Sequence, residues 1–84
     1  MAAVTKSDVF DVIQRNLREI LPDLQATAID PQQSMRQLGA NSLDRADVVL
    51  QSMEALGLRF PLNEVAGVEN IQGLVDFLHS RIPA

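Results

Sequence analysis

The sequence contains no cysteine among its 84 residues. The chain can therefore form no disulfide framework, no thiolate nucleophile and no thiolate metal site, and any thiol chemistry must be supplied from outside. Aromatic residues make up only 4% of the chain, which leaves leucine, isoleucine, valine, alanine and methionine to build the core. That set of side chains favours packed helices.

Long apolar runs and positive charge are also scarce. No stretch approaches the roughly 20 apolar residues that a membrane-spanning helix needs, and the amino end shows no basic region followed by an apolar run. Seven basic and eleven acidic residues give a formal charge of -4, which disfavours binding to a phosphate backbone. We expect a cytoplasmic monomer that binds neither nucleic acid nor membrane.

The composition that remains is that of a folded protein. Hydrophobic residues make up 46% of the chain and charged residues 21%, as in ordinary globular sequences. A chain of this length can bury one modest core but leaves little room for an enclosed active site. We expect a single domain over residues 1–84, with no autonomous enzyme activity.

Apolar residues recur at helical spacing in three segments, from Ser7 to Leu21, from Ser42 to Leu56 and from Ile71 to Ile82. The apolar stripe of the second segment consists of Leu43, Ala46, Val49, Leu50, Met53 and Leu56. The candidate N-caps are Thr5 or Ser7, Asn41 and Asn70. The candidate terminators are Pro22, Gly57 and Pro83.

The connections differ in length. The first, from Pro22 to Asn41, is a long loop that must be packed down or be functional, with Ile29, Met35 and Leu38 as its predicted anchors. In the second connection, between the second and third helical segments, apolar and other residues alternate around Pro61 as they would in a short strand. The proline instead favours a connector, with one helical turn near Asn63–Ala66. The sequence thus predicts an all-α fold: a small bundle of three long helices plus a short helical turn, which is a four-helix bundle when the turn is counted.

The segment Leu38–Asp44, LGANSLD, combines a glycine, a capping residue and a hydroxyl at the start of the second helix. A serine there is usually only a cap, but Asn41 is the better cap one residue earlier. Ser42 is then redundant as a cap and is predicted to project outward. The unpaired N–H groups and the helix dipole favour a phosphate at that position by about 0.3–1 kcal/mol.

This segment resembles the acyl carrier protein family, in which a serine in an Asp-Ser-Leu motif opens the second helix and carries 4'-phosphopantetheine. The likeness covers nearly the whole chain. Beyond the serine motif it rests on the apolar stripe of the second helix and on three further segments, Phe60–Pro61, Asn70–Gln72 and Asp76–Leu78.

The resemblance implies that a phosphopantetheinyl transferase attaches the arm of coenzyme A to the Ser42 hydroxyl. The arm would supply the thiol that the chain lacks, and acyl groups would be held on it as thioesters. The transferase would provide the metal and the base, because no histidine, cysteine or paired carboxylate stands near Ser42 at a suitable spacing. The sequence therefore predicts no catalytic residue and no metal site.

The resemblance also implies a surface for partner enzymes around Ser42. It places Leu43 at a position that packs inward beside the attachment site, and Asp44 at one that meets basic groups on partners. Asn41 replaces the family's usual aspartate, which keeps the cap and removes a negative charge. The predicted partner-recognition residues are Asn41, Leu43, Asp44, Arg45, Asp47, Val48 and Ser52.

The second helix is less acidic than is typical of fatty-acid carriers. The run Gly39–Asp47 looks most like discrete carriers of polyketide pathways, in particular those of β-branching cassettes that work with an HMG-CoA-synthase-like enzyme. That likeness implies a malonyl or acetyl group on the arm, with acyltransferase and ketosynthase as further partners. Two alternatives stay open: an unmodified helical interaction module, and a peptidyl carrier of nonribosomal peptide synthesis.

Overall fold

The computed structural model describes residues 3–83, so the ends of the predicted domain, residues 1–2 and 84, lie outside it. Over this range the chain is helical and forms no strand. The three α-helices are α1 (Lys6–Ile20), α2 (Ser42–Leu56) and α3 (Ile71–Arg81), and two 3-10 turns cover Pro22–Leu24 and Leu62–Val65. The predicted all-α architecture, with three long helices and a long loop between the first two, is confirmed for the described residues.

The prediction of a four-helix bundle is wrong, because the segment between α2 and α3 does not form a fourth α-helix. Leu62–Val65 is a single 3-10 turn of four residues. Its hydrogen bonds run from Glu64 N to the Pro61 carbonyl and from Ala66 N to the Asn63 carbonyl, three residues back in each case. Such short 3-10 turns serve as connectors rather than as helices that pack in a bundle.

The first helix begins at a reciprocal cap. Asp8 N donates to Thr5 Oγ1 at 3.1 Å, and Thr5 N donates to Asp8 Oδ2 at 3.0 Å. This capping box satisfies two backbone donors that a helix start would otherwise leave unpaired. Thr5, rather than Ser7, is therefore the cap, and α1 starts one residue earlier than its predicted start.

Helix α1 packs against both α2 and α3. Each helix contributes one buried stripe, as its apolar spacing predicts. The buried residues are Val9, Ile13 and Leu17 in α1, Val48, Val49 and Met53 in α2, and Ile71, Leu74, Val75 and Leu78 in α3. The described residues thus share one core, and none of their helices is long and apolar enough to cross a membrane.

The long loop between α1 and α2 is held down at both of its ends. Near α1, Arg18 Nε donates to the Leu24 carbonyl at 3.3 Å, and Leu24 is buried. Ile29 is also buried, as predicted, while Met35 and Leu38 are half-buried against the core. The loop therefore ends in a fixed position where α2 begins.

The loop is also joined to the start of α3. Ile71 N donates to the Gln33 carbonyl at 2.9 Å, and Gln72 N donates to the Pro31 carbonyl at 2.8 Å. Both donors belong to the first turn of α3, whose N–H groups have no partner within the helix. These two bonds fix one wall of the space between α2 and α3.

An exposed ion pair joins the first turn of α1 to α3. Lys6 Nζ lies 3.0 Å from Asp76 Oδ1, and Gln72 Nε2 donates to the same oxygen at 2.9 Å. The hydrogen bond from Lys6, followed by that from Gln72, holds the pKa of the Asp76 carboxyl below its usual value. A lowered folded-state pKa stabilises the fold above the unfolded-state pKa, and this stabilisation is lost as the pH falls through the folded value.

We therefore expect Asp76→Asn to reduce the loss of thermal stability in acid. Between about pH 5 and pH 2, the melting temperature of the variant should fall less steeply than that of the wild type. Circular dichroism melts over this range measure the difference, which should shrink in high salt because the pair is exposed. Asp11→Asn removes the same charge elsewhere and serves as the control. Equal acid dependence in wild type and Asp76→Asn would contradict the assignment.

Candidate functional site

Ser42 is the first residue of α2, and its side chain is exposed. The preceding Asn41 is extended and caps the helix, accepting a hydrogen bond from Asp44 N at 2.8 Å. In return Asn41 N donates to Asp44 Oδ2 at 3.2 Å. Because Asn41 and Asp44 satisfy the cap between them, the Ser42 hydroxyl is not needed for it and faces water.

Asn41 was predicted as the cap, but the contribution of Asp44 was missed. The signal is present in the sequence, since an asparagine followed three residues later by an acidic residue is the pattern of a capping box. Asp44 is half-buried, and one of its oxygens is already engaged with Asn41 N. Its carboxylate therefore shapes the start of the helix as well as contributing charge to the surface.

The backbone before Ser42 makes a tight turn. Gly39 has φ +100, a left-handed backbone conformation that residues other than glycine rarely adopt. Gly39 N donates to the Arg36 carbonyl at 3.0 Å, and Ala40 N donates to the Met35 carbonyl at 3.1 Å. Ala40 is only 3% exposed, so the turn is anchored in the fold and fixes the direction in which Ser42 projects.

Leu43 was predicted to pack inward, and this is wrong, because its side chain is 75% exposed. The reason lies in which side of α2 the rest of the fold covers. Ser52, nine residues further on, is completely buried, and at roughly 100° per residue nine residues correspond to half a turn of rotation. Leu43 therefore lies on the side of α2 that faces away from the core.

Val48 and Ser52 were predicted to contact partners, and this is also wrong. Both are 0% exposed, because their stripe of α2 packs against α1. The Ser52 hydroxyl accepts a hydrogen bond from Asn16 Nδ2 at 3.0 Å, which explains how a polar side chain is tolerated there. Ser52 is a structural residue of the α1–α2 interface.

The surface that α2 does present consists of Leu43, Asp47 and Leu50, here called the outer face. These residues recur at i, i+4 and i+7, so they share one side of the helix. Asp47 is exposed, and Leu50 is 48% exposed although it was predicted on the apolar stripe. Two exposed leucines around a carboxylate suit a partner with an apolar contact and a basic group.

A cavity of about 560 Å³ opens between α2, the second 3-10 turn and the start of α3. Its apolar lining includes Ala46 and Val49 from α2, and Leu62, Val65 and Leu74 from the opposite side. Polar side chains at the same cavity are Ser34, Arg36, Arg45, Glu69 and Asn70. Nothing in the sequence pattern indicated this space, because it depends on how the connectors cross between the helices.

The site has the features needed to hold a covalently attached group. A primary hydroxyl stands in water at a helix start, the loop before it is fixed, and an apolar surface lies along the same helix. The unpaired backbone N–H groups at a helix start favour an attached phosphate. A small helical fold built in this way defines a carrier protein for a tethered group.

The Asn41 cap can be tested directly. Asn41→Ala should lower the free energy of unfolding by about 1 kcal/mol, because the side-chain acceptor for Asp44 N is lost. Asn41→Asp should restore most of that stability, since aspartate caps equally well. Urea unfolding of the three proteins measures the difference. Full stability in Asn41→Ala would show that the capping box does not hold the start of α2.

The comparisons with known proteins agree with that class. The family model described as a phosphopantetheine attachment site matches residues 11–78. A polyketide biosynthesis acyl carrier protein of Bacillus subtilis (strain 168) is 35% identical over 77 residues, covering 92% of this chain and 94% of that protein. An acyl carrier protein of Guillardia theta is 25% identical over 81 residues, covering 96% of this chain and all of that protein.

A solved structure is similar as well. It is a chain in the crystal structure of the HMG synthase of the curacin biosynthetic pathway in complex with an acetyl donor ACP. The TM-score is 0.87 at 36% identity, and the match covers 90% of this chain and 97% of that chain. The protein belongs to the acyl carrier protein family, whose phosphopantetheine attachment domain it contains, and it is a carrier rather than a catalyst.

Proposed function

We propose that this chain carries acyl groups in polyketide biosynthesis, as a single 84-residue domain with a 4'-phosphopantetheine arm on Ser42. The observation that carries the proposal is the exposed hydroxyl of Ser42 at the first position of α2, within the matched range 11–78. The likeness to the polyketide carrier of Bacillus subtilis, over almost the full length of both chains, supports the pathway.

The chemistry divides between this chain and its partners. On a phosphopantetheinyl transferase that supplies the base and the metal, the Ser42 oxygen attacks the pyrophosphate phosphorus on the pantetheine side of coenzyme A. The serine proton passes to the base, the pyrophosphate P–O bond breaks and 3',5'-adenosine diphosphate leaves. When bound, the arm supplies a thiol that holds the acyl group as a thioester. This chain contributes the accessible hydroxyl, the capped helix that fixes its position and the outer face on which partners dock.

We further propose an HMG-synthase-like enzyme as a partner and an acetyl or malonyl group as the cargo. The structural relative in complex with an HMG synthase is described as an acetyl donor, and its likeness to this chain supports that role. Acyltransferase and ketosynthase are the further partners of such a pathway. A cytoplasmic location follows from the need for coenzyme A, and an antibiotic as the final product stays a prediction.

The test begins with the purified chain, coenzyme A and a broad-specificity transferase. Intact-mass spectrometry should show one added phosphopantetheine, and loading from acetyl-coenzyme A should add one acetylated arm. An HMG-synthase-like enzyme should then remove the acetyl group from the carrier. If the carrier is loaded but the acetyl group is not transferred to the HMG-synthase-like enzyme, the role in β-branching is contradicted and the carrier role stands. A failure to load would remove both, and would favour an unmodified interaction module.

Leu43 provides a prediction about partner recognition. Leu43→Ala should lower the rate of acetyl transfer to an HMG-synthase-like enzyme about tenfold at limiting carrier concentration, because exposed apolar side chains central to an interface carry much of its binding energy. Val4→Ala shortens another exposed apolar side chain, outside α2, and should leave transfer unchanged. Equal transfer rates for Leu43→Ala and the wild type would exclude the outer face as the docking surface.

A further inference from the structure

Residues 34–40, here called the entry turn, form one helical turn at the end of the long loop, and the turn begins at a reciprocal cap. Ser34 N donates to Gln37 Oε1 at 2.8 Å, and Gln37 N donates to Ser34 Oγ at 3.1 Å. A hydroxyl residue followed three positions later by glutamine is the pattern of a capping box. This one stands outside the three α-helices, in the segment that leads to Ser42.

The end of the entry turn is capped as well. Gly39 N donates to the Arg36 carbonyl, three residues back, and Ala40 N donates to the Met35 carbonyl, five residues back. With Gly39 in the left-handed region, these two bonds form a Schellman motif, with which many full helices end. The entry turn is thus a single turn of helix with a cap at each end.

The caps matter because one turn of helix is not stable by itself. A first turn fixes several backbone angles for each hydrogen bond that it gains, so its formation is unfavourable. Gln37 is exposed and Ser34 is half-buried, so neither adds a buried apolar side chain. The apolar contact of the turn comes from Met35 and Leu38, which are only half-buried. The capping bonds therefore supply much of what keeps the turn formed.

Two outside contacts set the position of the entry turn. Just before it, the Gln33 carbonyl accepts from Ile71 N in the first turn of α3. At its end, the Ala40 carbonyl accepts from Arg45 Nη1, and Ala40 is buried. A single residue separates Ala40 from Ser42. A change in the turn therefore reaches the Ser42 hydroxyl directly through the backbone.

We propose that Ser34 and Gln37 are positioning residues for the attachment of the arm. Their capping box keeps the entry turn formed, and the turn directs the Ser42 hydroxyl toward the transferase. The inference rests on the proposed function, which makes Ser42 the attachment site. Neither side chain takes part in the bond that forms or the bond that breaks. Their effect is geometric, because a misplaced nucleophile lowers the rate of the chemical step.

Hydrogen exchange on the unloaded protein tests whether the box holds the turn. Gln37→Ala removes one acceptor of the box, so the amides of Gly39 and Ala40 should exchange about fivefold faster, the factor expected for the loss of one cap. Gln25→Ala is the control, since Gln25 is also exposed and makes a side-chain bond to the backbone at the far end of the same loop. It should leave both amides unchanged. Unchanged exchange in Gln37→Ala would overturn the proposal.

The kinetics of loading test whether the turn positions the hydroxyl. The double variant of Ser34→Ala with Gln37→Ala loses both bonds of the box, so its loading rate at saturating carrier should fall about fivefold. KM for the carrier should stay within about twofold of the wild type, because Leu43, Asp47 and Leu50 still form the outer face. Ser34→Thr keeps a capping hydroxyl and should load at the wild-type rate.

The outcomes separate this inference from the proposed function. A wild type that takes up no arm contradicts the proposed function. A double variant that loads as fast as the wild type keeps the function and overturns the positioning role, and so does a raised KM at an unchanged maximal rate. If the double variant folds poorly by circular dichroism, Gln37→Ala alone gives the same test with a loss of about twofold. Slower loading at an unchanged KM, with faster exchange at Gly39 and Ala40, supports both.

Discussion

Ser42→Ala is expected to take up no phosphopantetheine under conditions in which the wild type is fully loaded. The reason is chemical, since alanine has no oxygen to attack coenzyme A and no neighbouring group can replace it. The chain has no cysteine, and the adjacent residues Asn41 and Leu43 carry no hydroxyl. Intact-mass spectrometry after incubation with a transferase measures the loss, which should be complete rather than partial.

The control for this variant is Ser7→Ala. Ser7 is also an exposed serine in the first turn of a helix, α1, so it matches Ser42 in local structure. Its replacement should leave loading unchanged. Both variants should unfold within about 0.5 kcal/mol of the wild type, because Thr5 and Asn41 make the caps. Uptake of the arm by Ser42→Ala would show that the arm is attached to a residue other than Ser42.

Leu17→Ala should have the largest effect on stability. Leu17 is 0% exposed and belongs to the stripe of α1 that packs against α2 and α3. Removing its branched end takes apolar contact from the core and leaves a cavity, which costs about 2–5 kcal/mol in comparable sites. For a small domain this is a large share of the total free energy of unfolding. Urea unfolding by circular dichroism measures the loss.

The matched control is Leu43→Ala, the same truncation on the outer face of α2. Leu43 is 75% exposed, so its removal should change the free energy of unfolding by less than about 0.5 kcal/mol. A large loss in Leu43→Ala would mean that this side chain packs inward in solution. A small loss in Leu17→Ala would contradict the position of the core.

Much of the fold could be predicted because local rules and tertiary packing agree. The three segments with apolar residues at helical spacing predicted both ends of α1, α2 and α3 to within one residue. Asn41 and Asn70 act as the predicted caps, and Gly57 ends α2 with φ 71. Each of these signals acts through the residue's own backbone or its nearest neighbours, so the sequence alone contains it.

The orientation of α2 could not be predicted in the same way. Its apolar residues Leu43, Val48, Val49 and Leu50 together cover more than half of the helix circumference at roughly 100° per residue, so the pattern leaves the buried side undetermined. Packing against α1 decides it, burying Ser52 against Asn16 and leaving Leu43 and Leu50 in water. The same dependence on distant elements explains why the cavity, with Arg36 and Arg45 at its edge, was not foreseen.

The most direct test of the central claim is to locate the arm on the protein isolated from its native host. Trypsin cuts after Arg36 and Arg45, and releases the peptide 37–45, in which Ser42 is the only hydroxyl side chain. Tandem mass spectrometry should find the mass of phosphopantetheine, with or without an acyl group, on that peptide. A modified protein whose arm maps to any other peptide would contradict the account.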